Sequence, residues 1–232
     1  MDEYTKKAIV YPAVIAAMVC SFPTLILLYN VPSIYTYVLC WWRFLILIIP
    51  TAVIYGAIGF FLRELFRSTS KWLFQFRVFN EDETQMPTTD TLIYSEHLLS
   101  SDSINKISAK IKSDYDIYLD DEEDQKKDEQ NARIKIAEAV RLIRQNTRQD
   151  KFLLRRNINY GFWRNLLGGW VWTMVVTLVL TIIGMCCDLG INSIMWGLFI
   201  IEFIFFILFW RVFMPQSARE YARQLYTTYL SN

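Results

Sequence analysis

The sequence predicts a mainly α-helical membrane protein in which four transmembrane helices, paired as two hairpins, flank a cytosolic module of α or α+β structure. Three observations predict it. Hydrophobic residues make up 53% of the 232 residues and aromatic residues 16%, yet 20% are charged, so the two populations must be segregated. The apolar residues gather into long runs with hardly a charge inside, whereas a soluble fold spreads them at a period of two or about 3.6. Lysine and arginine flank these runs on one side and are missing from the two short turns that join them.

The first run, residues 8–29, carries no charge. It is long enough to cross a hydrocarbon core about 30 Å thick at roughly 1.5 Å per residue. Lys6 and Lys7 precede it as in a signal peptide, but the apolar stretch is too long and no small-residue cleavage site follows before Pro32, so it reads as the first span. Pro23 predicts a bend, because a proline inside a helix removes a backbone donor. A turn at 30–33 leads into the second run, 34–62, which only Arg43 interrupts. Trp41 and Trp42 suit an aromatic belt within it. These elements make an N-terminal hairpin, 1–63.

The module occupies 64–165. Phe74, Phe76 and Val78 alternate with Gln75 and Arg77, which fits a strand over 72–79 or a membrane-hugging continuation of the second helix. Residues 80–90 read as a polar loop, and 91–94 as another short strand. Ser101 or Asp102 is placed to cap a helix through Lys112, with Ile104, Ile107 and Ile111 on one face. A longer helix is expected near 128–148. Its acidic start at Asp128 and Glu129 and its basic end at Arg141, Arg144 and Arg148 complement the helix dipole. Ile136, Val140 and Ile143 form its apolar stripe, an interface for another helix or subunit.

The C-terminal hairpin, 166–213, contains runs at 166–185 and 193–213, with Glu202 inside the second. The tail, 214–232, is amphipathic: Tyr221, Leu225, Tyr226 and Tyr229 recur at helical intervals, suited to the membrane interface or to packing on the module. Lys6 and Lys7, Arg63, Arg67 and Lys71, Arg155, Arg156 and Arg164, and Arg211, Arg219 and Arg223 all fall on one side of the spans. Short loops rich in these residues stay in the cytosol, so both termini and the module are expected there, in a multi-pass protein of the inner membrane.

No enzyme is expected. His97 is the one histidine, and no nucleophile or nuclease spacing accompanies it. The eight glycines form no phosphate loop. Cys20, Cys40, Cys186 and Cys187 lack metal-ligand spacing, so no metal or cofactor is expected; the adjacent pair reads as a strained disulfide or as two small residues at a helix end. The acidic run from Asp120 to Asp124 lacks the spacing and glycine of a calcium loop and reads as linker or helix start. A net charge of +1 argues against direct nucleic-acid binding.

Arg43 and Glu202 stand out chemically. Ionisable groups in apolar runs are costly and face a bundle interior, a partner or water. The two lie at similar depth from the hairpin turns, which predicts a charged pair within or between chains, or a polar path through an oligomer. Gly168 and Gly169 predict a hinge at the entry to the third span, or close helix packing. The aromatic residues of the fourth span, among them Phe199, Phe203, Phe205, Phe206, Phe209 and Trp210, read as lipid-facing.

With two hairpins around a cytosolic module, no enzyme motif, and the intramembrane charges Arg43 and Glu202, the chain resembles the small four-span effector or accessory proteins of bacterial antiviral systems, both nucleotide-signalling and CRISPR-associated. The resemblance implies a homo-oligomer in the inner membrane that disturbs its integrity when a cytosolic protein or nucleotide signal engages the module. A membrane-anchored scaffold or regulatory subunit without a pore is the alternative.

Overall fold

The computed structural model describes residues 2–30, 51–76, 83–96, 98–187 and 190–231. Among them the fold is all-helical, with no strand. After a π-helical turn at Thr5–Val10 come α1 (Tyr11–Asn30) and α2 (Thr51–Ser70), the latter prolonged by π-helical turns at Lys71–Phe76. Then follow α3 (Pro87–Asp90), α4 (Ser101–Tyr115), α5 (Glu122–Lys127), α6 (Glu129–Asn146), α7 (Lys151–Cys186), α8 (Asn192–Leu208) and α9 (Met214–Ser231). The chain forms two compact units: Met1–Lys71 with Phe162–Val212, and Trp72–Gly161 with Phe213–Asn232.

Among the described residues, three helical stretches are long and apolar enough to cross a membrane: Thr5–Ile26, Lys151–Cys186 and Asn192–Ser231. The apolar part of the last ends by Phe213, since Arg219, Glu220 and Arg223 follow. The first half of the remaining expected span, residues 34–50, lies outside the described residues together with Arg43, Trp41 and Trp42.

The first unit has the inside-out character of a protein that sits in lipid. Met18, Phe22 and Leu25 on α1, Val179 and Ile182 on α7, and Ile200, Ile204 and Phe203 on α8 are exposed, whereas Asn165, Thr173, Thr177, Thr181 and Glu202 are buried. In water this distribution would leave a large apolar surface uncovered and desolvate polar groups at a cost. In a bilayer the apolar surface meets acyl chains, and buried polar groups hydrogen-bond between helices. Small residues let the helices approach: a Cβ on Gly168 would sit 2.3 Å from the Phe66 carbonyl oxygen, and one on Gly169 would sit 2.4 Å from the Ala16 Cβ. Proline is accommodated similarly. Pro12 has no N–H for the Ala8 carbonyl four residues earlier, and Asn165 Nδ2 donates to that oxygen at 2.6 Å. α1 continues through Pro23.

The second unit gathers its apolar side chains into a buried core. Ile104, Ile107 and Ile111 of α4, Ile136, Val140 and Ile143 of α6, and Leu225, Tyr226 and Tyr229 of α9 form one buried core with Leu92 and Ile93. The starts of α4, α5 and α6 are each capped by a side chain: Ser100 accepts from Ser103 N at 3.3 Å, Asp121 from Asp124 N at 2.9 Å, and Asp128 from Asn131 N at 3.1 Å. The tail packs on the module as α9, eight of whose side chains are buried.

Both expected strands are replaced by helical turns. The alternating residues after 70 continue helically through Phe76, so the alternative reading as a prolonged second helix describes 71–76; residues 77–82 lie outside the described region. At 91–94 the chain makes a turn and then a short 3₁₀ segment, Tyr94–Glu96. The physical reason is Gln125, which is buried on α5. Its Oε1 accepts from the Tyr94 N–H at 3.1 Å and its Nε2 donates to the Leu92 carbonyl at 3.3 Å, so one side chain satisfies backbone groups that a neighbouring strand would otherwise pair. Leu92 and Ile93 are apolar because they enter a helical core.

Candidate functional site

α8 is almost wholly apolar, so its single carboxylate defines the site. Glu202 is 1% exposed. Thr177 of α7 donates to its Oε1 at 2.9 Å, and Trp170 Nε1 donates to its backbone carbonyl at 2.8 Å. Its other carboxyl oxygen, Oε2, is buried and has no hydrogen-bond partner among the described residues. The Trp170 ring is held in turn by Phe205 and Phe209, with ring centroids 6.0 and 5.0 Å away.

Thr177 belongs to a buried ladder on α7. Thr173, Thr177 and Thr181 stand four residues apart, and each hydroxyl bonds the carbonyl four residues before it, at 3.3, 3.1 and 2.7 Å. This is how threonine hides its polarity in an apolar helix. Thr177 has a single proton to divide between the Thr173 carbonyl and Glu202, while Thr173 also faces the Ala16 carbonyl at 3.4 Å. Further along α7, Asn165 accepts from Ser70 Oγ at 3.0 Å, and Trp172 Nε1 donates to Thr69 Oγ1 at 2.9 Å. One face of α7 therefore presents polar groups to α1, α2 and α8. The arrangement can hold a counter-charge or a proton at Glu202, because Oε2 has acceptor capacity that the described residues leave unused.

The expected partner of Glu202, Arg43, lies outside the described residues, as does His97. Gly168 and Gly169 lie well inside α7, which passes through them without a break, and they serve as contact points for Phe66, Ser70 and Ala16. Ile136, Val140 and Ile143 are consumed by the module's own core, facing α4 and α9 of the same chain. Cys20, Cys186 and Cys187 are free thiols. The acidic run starts α5: Asp121 caps the helix and Asp120 pairs with Lys135 at 2.6 Å. Among the described residues no group of histidine, cysteine and carboxylate side chains is arranged to hold a metal. Of the aromatic residues on the fourth span, Phe203, Phe205 and Trp210 are exposed, while Phe209 packs on Trp163 and Trp170.

The threonine ladder and Asn165 are the site residues that sequence reading overlooked. Their signal was present: three threonines at a spacing of four within an apolar run mark one helix face. No family model, curated protein or solved structure matches the chain.

Proposed function

We propose that the chain is a four-span protein of the inner membrane, with both termini and the helical module in the cytosol, that acts without catalysis as an oligomeric, channel-like effector. The module receives a protein or nucleotide signal, and the spans respond by perturbing the membrane; antiviral defence is the setting that the resemblance suggests. The observation that carries this reading is the buried carboxyl of Glu202, with its unused Oε2, on a helix otherwise made for lipid. A carboxylate in such a place is retained at a cost, and conduction or charge pairing across a bundle gives a reason for it. Exposed Ile134, Tyr118 and Phe152 on the module supply apolar footing for a partner.

A scaffold without a pore is the second reading. The full burial of Thr173, Thr177 and Thr181, each bonded within its own helix, favours it, because a water-filled path would leave such hydroxyls wet. Ion flux through liposomes carrying the purified chain separates the two. The effector reading expects flux that Glu202→Gln alters while oligomer size is retained; absence of flux from both proteins supports the scaffold.

A further inference from the structure

Between the start of α1 and the middle of α2 lies a groove of about 320 Å³ whose lining includes Val10, Ala13, Ala17, Gly59, Leu62 and Arg63. Ala13 and Ala17 are one turn apart on α1, and Gly59 and Arg63 one turn apart on α2, so small residues hollow the floor and a cation closes one end. At Gly59 the space is open: a Cβ built there meets nothing within 4 Å. Such a volume sits at the lower end of the roughly 300–1,000 Å³ typical of small-molecule sites.

The charged end is unbalanced. Arg63 lies over the Phe60 ring, 4.6 Å from its centroid, and donates from Nε and Nη2 to Glu64 at 3.1 and 2.8 Å. Arg67 shares that same carboxylate at 3.8 Å. Among the described residues, two guanidinium groups share one carboxylate, which leaves a net positive charge at the rim and Nη1 of Arg63 for a further acceptor. Lys71 lies close enough to Arg67 and Arg164 for their charges, after burial, to push its ammonium below the usual lysine range. An apolar trough between α1 and α2 that ends in surplus positive charge is complementary to an amphiphile with an anionic head.

We propose that this groove seats one acyl chain of an anionic phospholipid, whose phosphate Arg63 holds. The aliphatic floor takes the chain, and the guanidinium offers a planar donor to a phosphate oxygen where the helices leave the hydrocarbon. The placement agrees with a cytosolic leaflet rich in anionic lipid facing the positive ends of the spans.

The test uses the full-length chain in detergent, titrated separately with dioleoylphosphatidylglycerol and dioleoylphosphatidylcholine, with bound lipid counted by native mass spectrometry. The wild-type protein is expected to prefer phosphatidylglycerol about fivefold, the effect of one cation at an anionic surface. Arg63→Gln is expected to abolish the preference while retaining residual binding of both lipids. Gly59→Leu, which grows into the open space, is expected to lower retention of both; Ala17→Leu fills the groove from the opposite wall and serves if Gly59→Leu misfolds. Helical circular dichroism and an unchanged thermal midpoint qualify each variant. Equal retention of the two lipids by the wild type, or wild-type retention by the filled variants, overturns the proposal. A filled variant that changes oligomer size without changing lipid retention also overturns it and gives the groove to a second copy of the chain.

Discussion

Asn165 Nδ2 donates a 2.6 Å hydrogen bond to the Ala8 carbonyl oxygen, four residues before Pro12. An amide from a different helix thus serves a backbone acceptor to which the proline can offer no N–H. Asn165→Leu is expected to destabilise the protein in detergent by about 1–2 kcal/mol. The cost should shrink when Pro12→Ala restores an N–H at position 12, while loss of the Ser70 contact is common to both backgrounds. Thermal or denaturant midpoints of the four proteins in the cycle measure this; an equal cost in both backgrounds contradicts the link between Asn165 and the proline.

Glycine positions in the membrane unit should divide by what surrounds them. Alanine favours a helix over glycine by about 1 kcal/mol. At Gly168 this gain is outweighed, because the new Cβ would meet the Phe66 carbonyl oxygen at 2.3 Å, and a net loss of about 1–3 kcal/mol is expected for Gly168→Ala. Gly197→Ala has nothing within 4 Å of its Cβ and should be neutral or stabilising. Equal midpoints for the two variants in the same detergent would mean that the helices are not held in close contact.

In the module, Val140→Asp is expected to cost at least about 3 kcal/mol, because its carboxylate enters the core beside Ile104, Ile136 and Tyr226 without a partner. Gln145→Asp, on the exposed side of α6, should change little. Expression level, size-exclusion profile and proteolytic resistance of the full chain in detergent report the difference; equal tolerance contradicts the packing of α6.

Alkaline pH should loosen the module. Tyr226 donates to the Thr88 carbonyl and Tyr229 to Asp114 Oδ2, the latter at 2.9 Å. Burial pushes both phenols above the ordinary tyrosine range, and Asp114 adds to this at Tyr229. Below pH about 10 both states keep these protons and stability is unaffected. Above it the unfolded chain releases them and the folded one does not, so stability falls by about 1.4 kcal/mol per pH unit for each group. Tyrosinate absorbance is expected to show two of the 13 tyrosines ionising only as helical structure is lost, and Tyr229→Phe should remove one of them. Titration of all tyrosines while the fold is intact contradicts the burial.

The helical content and the three described helices long and apolar enough to cross a membrane were legible because each rests on a local signal: run length, capping residues, and isoleucines spaced by three and four. The one expected cap was placed within a residue or two, with Ser100 taking the role expected of Ser101 or Asp102. What could not be read locally was where each polar side chain goes. The apolar pair Leu92 and Ile93 looked like a strand because nothing nearby reveals that Gln125, more than thirty residues away, supplies backbone partners to Leu92 and Tyr94. Glu202 announced itself as a lone charge, whereas its partner Thr177 is an ordinary residue until folding brings α7 and α8 together. Tyr226 and Tyr229 suited a membrane surface equally well in sequence; their burial in the module decided between packing partners.

The central claim is that the hairpin turns face outward while the module faces the cytosol, and native thiols make it directly measurable. Cys186 and Cys187 are exposed and free at the end of α7. With Cys20 and Cys40 replaced by alanine, a membrane-impermeant maleimide added to intact spheroplasts is expected to label Cys186 and Cys187. In a chain lacking all four cysteines, Ser101→Cys is expected to be labelled only after lysis. Labelling of Ser101→Cys in intact spheroplasts, or protection of Cys186 and Cys187 until lysis, would contradict the topology on which the proposed function rests.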